Sequence, residues 1–136
     1  MSELKSEPKI IGISAEKVFS YFSDMNHLHS IMPPQVIDWK SSAEHCSFRI
    51  PGLAAISLIA GRHRASDYLE YNGSDKIPFP FRFMILIAPE TEASSRVTLQ
   101  FDAEMNPMMK MLVEKPLSNF IKLLAEKLPS LEGIIA

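Results

Sequence analysis

The segment from Asn106 to the C-terminus constrains the fold most, because it is patterned as one long amphipathic helix. Asn106 and Pro107 are typical of an N-cap and a first helical position, since Asn accepts from free N–H groups and Pro lacks an N–H. Apolar residues then recur at spacings of three and four: Met108, Met109, Leu112, Leu117, Phe120, Ile121, Leu124 and Leu128. An apolar stripe of this length must be covered, and the strands predicted before it are the available partner.

Pro116 interrupts this helical pattern. A proline inside a helix removes one backbone hydrogen bond and crowds the carbonyl one turn earlier, which costs about 3 kcal/mol in an ordinary interior. The sequence therefore predicts either a kink near residues 111–115 or a break at which Pro116 begins a second helix. With a kink, the first half of the helix is a candidate lid over any space beneath it.

The middle of the chain alternates with period two, as strands do, and turn signals recur about every ten residues, as in an antiparallel meander. Pro51-Gly52 and Asn72-Gly73 are predicted as tight turns, because Gly and Asn tolerate the positive φ that such turns require. The predicted strands are Leu4–Ile11, Val36–Lys40, Glu44–Ile50, Leu53–Arg62, Ala65–Tyr71, Pro80–Ala88 and Ser95–Met105.

Two short helices are predicted between the first and second strands. Ser14 is the N-cap of the first, and a second near residues 27–32 is closed by Pro33-Pro34. The order is therefore one strand, two short helices, six strands and one long helix, which is an α+β arrangement. We expect residues 1–136 to form a single domain, because no linker, repeat or low-complexity tract divides them.

Composition narrows the classes of partner. The chain is 46% hydrophobic and 22% charged, as in ordered globular proteins, and its formal charge of -2 is not gathered into basic blocks. We therefore expect no nucleic-acid partner. No apolar run approaches the roughly 20 residues that span a bilayer, and no signal-peptide pattern is found. Together with a single cysteine, Cys46, this predicts a cytoplasmic protein without a membrane span.

Candidate chemical groups are few. His27 and His29 are two apart on a predicted helix and point to different sides, while His45 and His63 belong to other strands, so no metal site and no cofactor are predicted. Cys46 has no neighbouring His in sequence and is predicted to be a buried, inert thiol.

The carboxylates on apolar strands are expected to face solvent by strand parity. They are Asp38, Asp67 and Glu70. Tyr68 or Tyr71 is a candidate to place a phenol in the cavity. If the strand registers shift by one residue, Arg49 or Arg82 places a cation there. No catalytic residue is predicted.

Two stretches, ISAEKVFSYFSDMNHLHSIMPP and NPMMKMLVEKPLSNFIKLLAEKL, carry a resemblance to a known superfamily. Together with the element order, they resemble the START-related SRPBCC superfamily, which includes polyketide cyclases, pollen-allergen-like proteins and lipid-transfer domains. The resemblance implies a helix-grip fold, in which a seven-stranded curved antiparallel sheet surrounds a long C-terminal helix and two short helices follow strand 1.

The same resemblance implies a hydrophobic cavity between sheet and helix. Its expected function is binding of a lipid, an aromatic polyketide or an isoprenoid-like molecule. The alternatives are a cyclase or dehydratase that uses the same cavity, and a protein-interaction module whose core is filled.

The aromatic and methionine side chains of the predicted cavity are either its walls or plain core packing. Met108 and Met111 belong to the same methionine cluster. On the opposite face, Met84 and Leu86 are either a homodimer surface or scattered surface residues. The residues predicted to line the cavity are Phe48, Tyr71, Phe81, Phe83, Ile85, Leu99, Phe101, Met105, Met109, Leu112, Phe120 and Leu124.

Overall fold

A computed structural model of the chain describes residues 2–50, 55–73 and 80–135. Its strands are β1 (Ser2–Lys5), β2 (Lys9–Ile11), β3 (Ile37–Ser42), β4 (His45–Arg49), β5 (Ala55–Arg64), β6 (Tyr68–Gly73), β7 (Phe81–Thr91) and β8 (Ser94–Ala103). Its helices are α1 (Ala15–Phe22), α2 (Pro107–Lys127) and α3 (Glu132–Ile135), with 3₁₀ helices at Met25–Ile31 and Leu128–Leu131. The predicted α+β class and element order are confirmed.

The described strands form one antiparallel sheet in the order β1-β8-β7-β6-β5-β4-β3, and β2 also pairs with β8. The predicted strand Leu4–Ile11 is therefore two strands that pair in succession with β8. The division follows from Pro8, which has no N–H for the ladder. Ser6, which lies between β1 and β2, keeps the segment beside β8, because its N–H donates to the Leu99 carbonyl at 2.8 Å and its hydroxyl accepts from the Leu99 N–H at 3.0 Å.

Two predicted strand ends are wrong. Asn72 and Gly73 lie inside β6, paired with Ile59 and Leu58 of β5, so the predicted tight turn at these two residues is wrong. Residues 74–79 lie outside the described residues. The predicted turn at residues 51–52 also lies outside them. At the other end, β6 begins at Tyr68, because residues 65–67 form the turn after β5, with Ser66 at a φ of 66°.

The short helices close one end of the sheet. The Ser14 hydroxyl accepts from the Lys17 N–H at 3.3 Å, which confirms the predicted N-cap of α1. The second helix is a 3₁₀ helix that begins at Met25, earlier than predicted, because the Asp24 carboxylate caps it by accepting from the Asn26 N–H at 3.0 Å. Apolar side chains of both helices are fully buried in the main core: Val18, Phe22, Met25, Leu28 and Ile31.

α2 begins as predicted, because the Asn106 side chain accepts from the Met109 N–H at 2.8 Å. It continues through Pro116 as a single helix, so the predicted break is wrong, while the kink stays a prediction. Along the helix, every fully buried residue follows Pro116: Leu117, Phe120, Ile121, Leu124 and Ala125. The half of α2 before Pro116 is thus packed more loosely than the half after it.

The prediction that the sheet covers one apolar stripe along the whole of α2 is wrong for the first half of the helix. Met108, Met111 and Leu112 are 73%, 84% and 69% exposed. On the inward side of these turns, Val113 packs against the core, and Met109 is half-buried. The helix is therefore apolar on two sides here, and only one side reaches the sheet. Among the described residues, no helix has both the length and the hydropathy needed to cross a bilayer.

Candidate functional site

The inward face of the sheet and the second half of α2 share one apolar core. Strand alternation turns every second side chain of the central strands toward the helix, as in Phe81, Phe83 and Ile85 of β7 and Leu99 and Phe101 of β8. These side chains are each at most 6% exposed. The predicted strand registers therefore hold in β7 and β8, where the site residues were placed.

Aromatic rings form a continuous array beneath α2. The Phe120 centroid lies 6.0 Å from Phe48 and 6.1 Å from Phe101, and Phe101 lies 4.8 Å from Phe83. Tyr71 extends the array at 5.7 Å from Phe83. Rings at these separations are in contact, so the predicted wall residues pack against one another.

The structure brings most of the predicted cavity residues together, but not all of them. Met105 and Met109 are only half-buried, and Leu112, at 69% exposed, points to the solvent side of α2 and does not join the core. Met108 and Met111 likewise neither fill the core nor face it. The buried members are Phe48, Tyr71, Phe81, Phe83, Ile85, Leu99, Phe101, Phe120 and Leu124.

A surface cleft of about 350 Å³ lies beside Pro116 and reaches the aromatic array at Phe120. This volume is near the lower limit of ordinary ligand sites, which hold about 300–1,000 Å³. We call it the Pro116 cleft. It is lined by Pro33, Gln35, Ile50, Lys115, Pro116, Asn119, Phe120 and Leu123.

Sequence reasoning placed only Phe120 of these residues in the site. Pro33, Ile50 and Leu123 come from three separate segments, and no local pattern joins them. One signal was present, because Ile50 is two residues from Phe48 and strand alternation sends both to the same face.

Polar groups of the core are already engaged or hard to ionise. The Tyr71 hydroxyl, which is fully buried, donates to the Phe22 carbonyl at 2.7 Å, and burial raises its pKa well above the ordinary value. The prediction that Cys46 is buried is confirmed, and burial raises the pKa of its thiol to about 12. Neither group is poised to exchange a proton near neutral pH. The polar side chains that line the Pro116 cleft are Gln35, Lys115 and Asn119.

On the outer face of the sheet, Glu70 corrects an expectation. Glu70 lies on the outer face, as strand alternation predicts, but it is only 7% exposed and so does not face solvent as expected. The Tyr68 hydroxyl donates to its Oε1 at 2.7 Å, and Arg82 Nη1 lies 3.6 Å from the same oxygen. Arg82 also donates to Asp102 Oδ2 at 3.1 Å, and Gln100 donates to Asp102 Oδ1 at 2.8 Å.

This outer network surrounds Met84. Glu70 and Gln100 are its direct cross-strand neighbours, and Met84 is 5% exposed, while Leu86 is half-buried. The apolar surface available for a homodimer is therefore smaller than the sequence suggested, and dimerisation through this face stays a prediction. The other carboxylates behave as expected or nearly so, since Asp38 is exposed and Asp67 is partly exposed beside Arg64.

Comparison with solved structures identifies the architecture. Norcoclaurine synthase from Thalictrum flavum, in complex with dopamine and hydroxybenzaldehyde, superposes with a TM-score of 0.71 at 11% identity, over 99% of this chain and 88% of that one. A START superfamily protein from Mycobacterium smegmatis superposes with a TM-score of 0.63 at 16% identity, over 98% and 96%. This chain has the helix-grip fold.

A third similar structure, the di-domain ARO/CYC protein BexL from the BE-7585A biosynthetic pathway, superposes with a TM-score of 0.66 at 11% identity. The superposition covers 97% of this chain and 48% of the BexL chain. No protein-family model matches the sequence, and no curated protein does. The predicted resemblance to START-related SRPBCC proteins is thereby confirmed in its fold.

Proposed function

We propose that this helix-grip protein binds an apolar or amphipathic small molecule, such as a lipid, an aromatic polyketide or an isoprenoid, against Phe120 in the Pro116 cleft. The observation that carries the proposal is the position of Phe120. Its side chain lines the cleft and also contacts Phe48 and Phe101 of the aromatic array. A ligand in the cleft therefore meets the apolar core directly.

The lining also suits an amphipathic ligand. Ile50, Phe120 and Leu123 supply apolar contacts, while Lys115 and Asn119 supply donors at the rim. A ligand that buries about 200 Å² of apolar surface gains about 5 kcal/mol before the entropy of association is subtracted. Selectivity then rests on the few polar groups at the rim.

The solved relatives support this class of ligand. Norcoclaurine synthase is described in complex with dopamine and hydroxybenzaldehyde, which are small aromatic molecules, and it shares the fold over 99% of this chain. Catalysis requires a titratable group that reaches the ligand, and Lys115 is the titratable side chain that lines the cleft. Because a ligand must bind before any chemistry occurs, binding is the first function to test. The cytoplasmic location and the single-domain organisation stay predictions.

Intrinsic fluorescence tests the proposal. Trp39 is the sole tryptophan and lies 5.5 Å from Phe48, next to the array that a ligand would contact. We expect saturable quenching or a spectral shift on titration with 1-naphthol and with decanoate.

A matched pair of variants locates the binding. Leu123→Glu introduces a charge into the cleft and is expected to weaken binding about tenfold or more, because the charge must be desolvated. Ile59→Glu places the same charge at a residue of β5 that is 45% exposed and is expected to leave binding unchanged. Equal affinities in both variants, or the absence of saturable binding by the unsubstituted protein, would contradict the proposal.

A further inference from the structure

The first half of α2 carries the three most exposed large apolar side chains among the described residues. Met108, Met111 and Leu112 are 73%, 84% and 69% exposed, whereas Ile10, the next in order, is 57% exposed. Residues at these spacings lie on one face of a helix. We call this face the apolar end of α2.

The apolar end of α2 is distinct from the Pro116 cleft. None of its three side chains lines the cleft, and Val113 packs against the core on the inward side of the same turns. Within the part of the chain that the structure describes, no element packs over it, since its members retain more than two thirds of their surface. A cluster of this kind on one helix face is typical of a surface that contacts a partner.

Lysines continue the same helix face. Lys115 follows Leu112 at a spacing of three, and Lys122 lies two turns further on. Lys122 lines a groove of about 430 Å³ between α2 and the segment that joins β1 to β2, together with Lys5 and Lys9. In the sequence these lysines are dispersed, and the fold collects them on one side of the molecule.

Carboxylates are also present on this side. Glu7 and Glu126 line the groove, and Glu114 pairs with Lys110 at 3.6 Å. The surface is therefore only weakly basic, and its apolar end is the larger contribution to any association.

We propose that the apolar end of α2 docks on the surface of a lipid bilayer, with Lys115 and Lys122 directed toward the headgroups. Exposed Met and Leu side chains enter the acyl boundary, while long lysine side chains reach back to the headgroup layer. Anionic headgroups add a smaller, salt-dependent attraction.

The size of the patch favours a bilayer over a second copy of the chain. Three side chains present a patch of a few hundred Å², whereas a stable dimer buries about 800 Å² on each partner. Insertion into a bilayer needs no complementary surface, so a small apolar patch is sufficient.

Vesicle flotation tests this inference with the full chain. We expect the protein to float with phosphatidylcholine vesicles and to float more completely when phosphatidylglycerol is included, the difference shrinking as NaCl is added. The double substitution Met111→Gln and Leu112→Gln is expected to lower the partition coefficient about tenfold or more, because two apolar side chains are lost from the boundary.

Ile59→Gln, at a residue of β5 that is 45% exposed, is the matched control and is expected to bind like the unsubstituted protein. Circular dichroism and urea unfolding establish that each variant is folded. The inference is overturned if the unsubstituted protein floats with neither vesicle, or if the control loses as much binding as the double variant.

Light scattering distinguishes docking on lipid from formation of a homodimer through the same face. A dimer that is lost only in the Met111→Gln and Leu112→Gln variant would assign the apolar end of α2 to a homodimer and overturn docking on lipid. Because neither residue lines the Pro116 cleft, naphthol and decanoate binding by this variant reports separately on the proposed function.

Discussion

Substitution of Phe120 by alanine tests the unequal packing of the two halves of α2. Phe120 is 3% exposed and contacts Phe48 and Phe101 at centroid separations of 6.0 and 6.1 Å. Removing a buried Phe side chain leaves a void that the surrounding core fills only in part, which costs about 3–5 kcal/mol. Because most domains are stable by about 5–15 kcal/mol, the variant is expected to fold with reduced stability.

The matched substitution lies on the other half of the same helix. Met111 is 84% exposed, so Met111→Ala is expected to change the free energy of unfolding by less than about 0.5 kcal/mol. Both variants are measured by urea unfolding, with the midpoint and the m-value fitted together. A loss below about 1 kcal/mol for Phe120→Ala, or similar losses for the two variants, would refute the packing described for α2.

Three further predictions concern stability. Burial alone would raise the pKa of Glu70, but hydrogen bonds and the charge of its neighbours lower this pKa below the ordinary 4.5. The ionised carboxylate therefore stabilises the fold at pH values above the unfolded-state pKa. This stabilisation is lost as the pH falls through the folded-state pKa. Glu70→Gln is expected to lower the free energy of unfolding at neutral pH by about 1–3 kcal/mol and to flatten its decline as the pH falls below 4.5, as measured by urea unfolding at each pH. Gly61→Ala is expected to destabilise by about 1–3 kcal/mol, because its Cβ would lie 2.5 Å from Asn72 Nδ2 and 3.1 Å from the backbone oxygen of Glu70, which cannot move aside as a side chain can. Gly133→Ala meets nothing within 4 Å and serves as the control in the same assay. Pro116→Ala restores a helical N–H and is expected to raise the thermal midpoint by the equivalent of about 1–3 kcal/mol, and a lower midpoint would show that the proline ring is needed for packing.

Local chemistry made the element order predictable. Ser14 and Asn106 cap the helices that they were predicted to cap, because capping depends on a side chain and the next few N–H groups. Apart from the two ends of β6, the strands after residue 35 appear near the predicted places, because alternation with period two is imposed by the strand itself.

Burial was predicted less well, because it depends on neighbours that are distant in sequence. Glu70 faces outward as parity requires, yet it is buried by contacts with Tyr68 and with Arg82 of β7. Met108 and Leu112 belong to a helical stripe that looks suited to the core, but Val113 packs against the core instead. A helix that is apolar on two sides does not specify which side meets the sheet.

The cleft could not be predicted from spacing. Its wall joins Pro33 after the 3₁₀ helix, Ile50 at the end of β4 and Leu123 of α2, which meet only once the sheet curves around the helix. The aromatic residues of the core were found by alternation, whereas their packing against one another depends on the cross-strand register.

Binding of an apolar molecule in the Pro116 cleft is tested most directly by amide chemical-shift mapping with 1-naphthol and with decanoate. We predict saturable shifts that are largest at Ile50, Asn119, Phe120 and Leu123, which line the cleft. Shifts confined to the outer face of the sheet, or no saturable shift up to the solubility limit of both molecules, would contradict binding at this site.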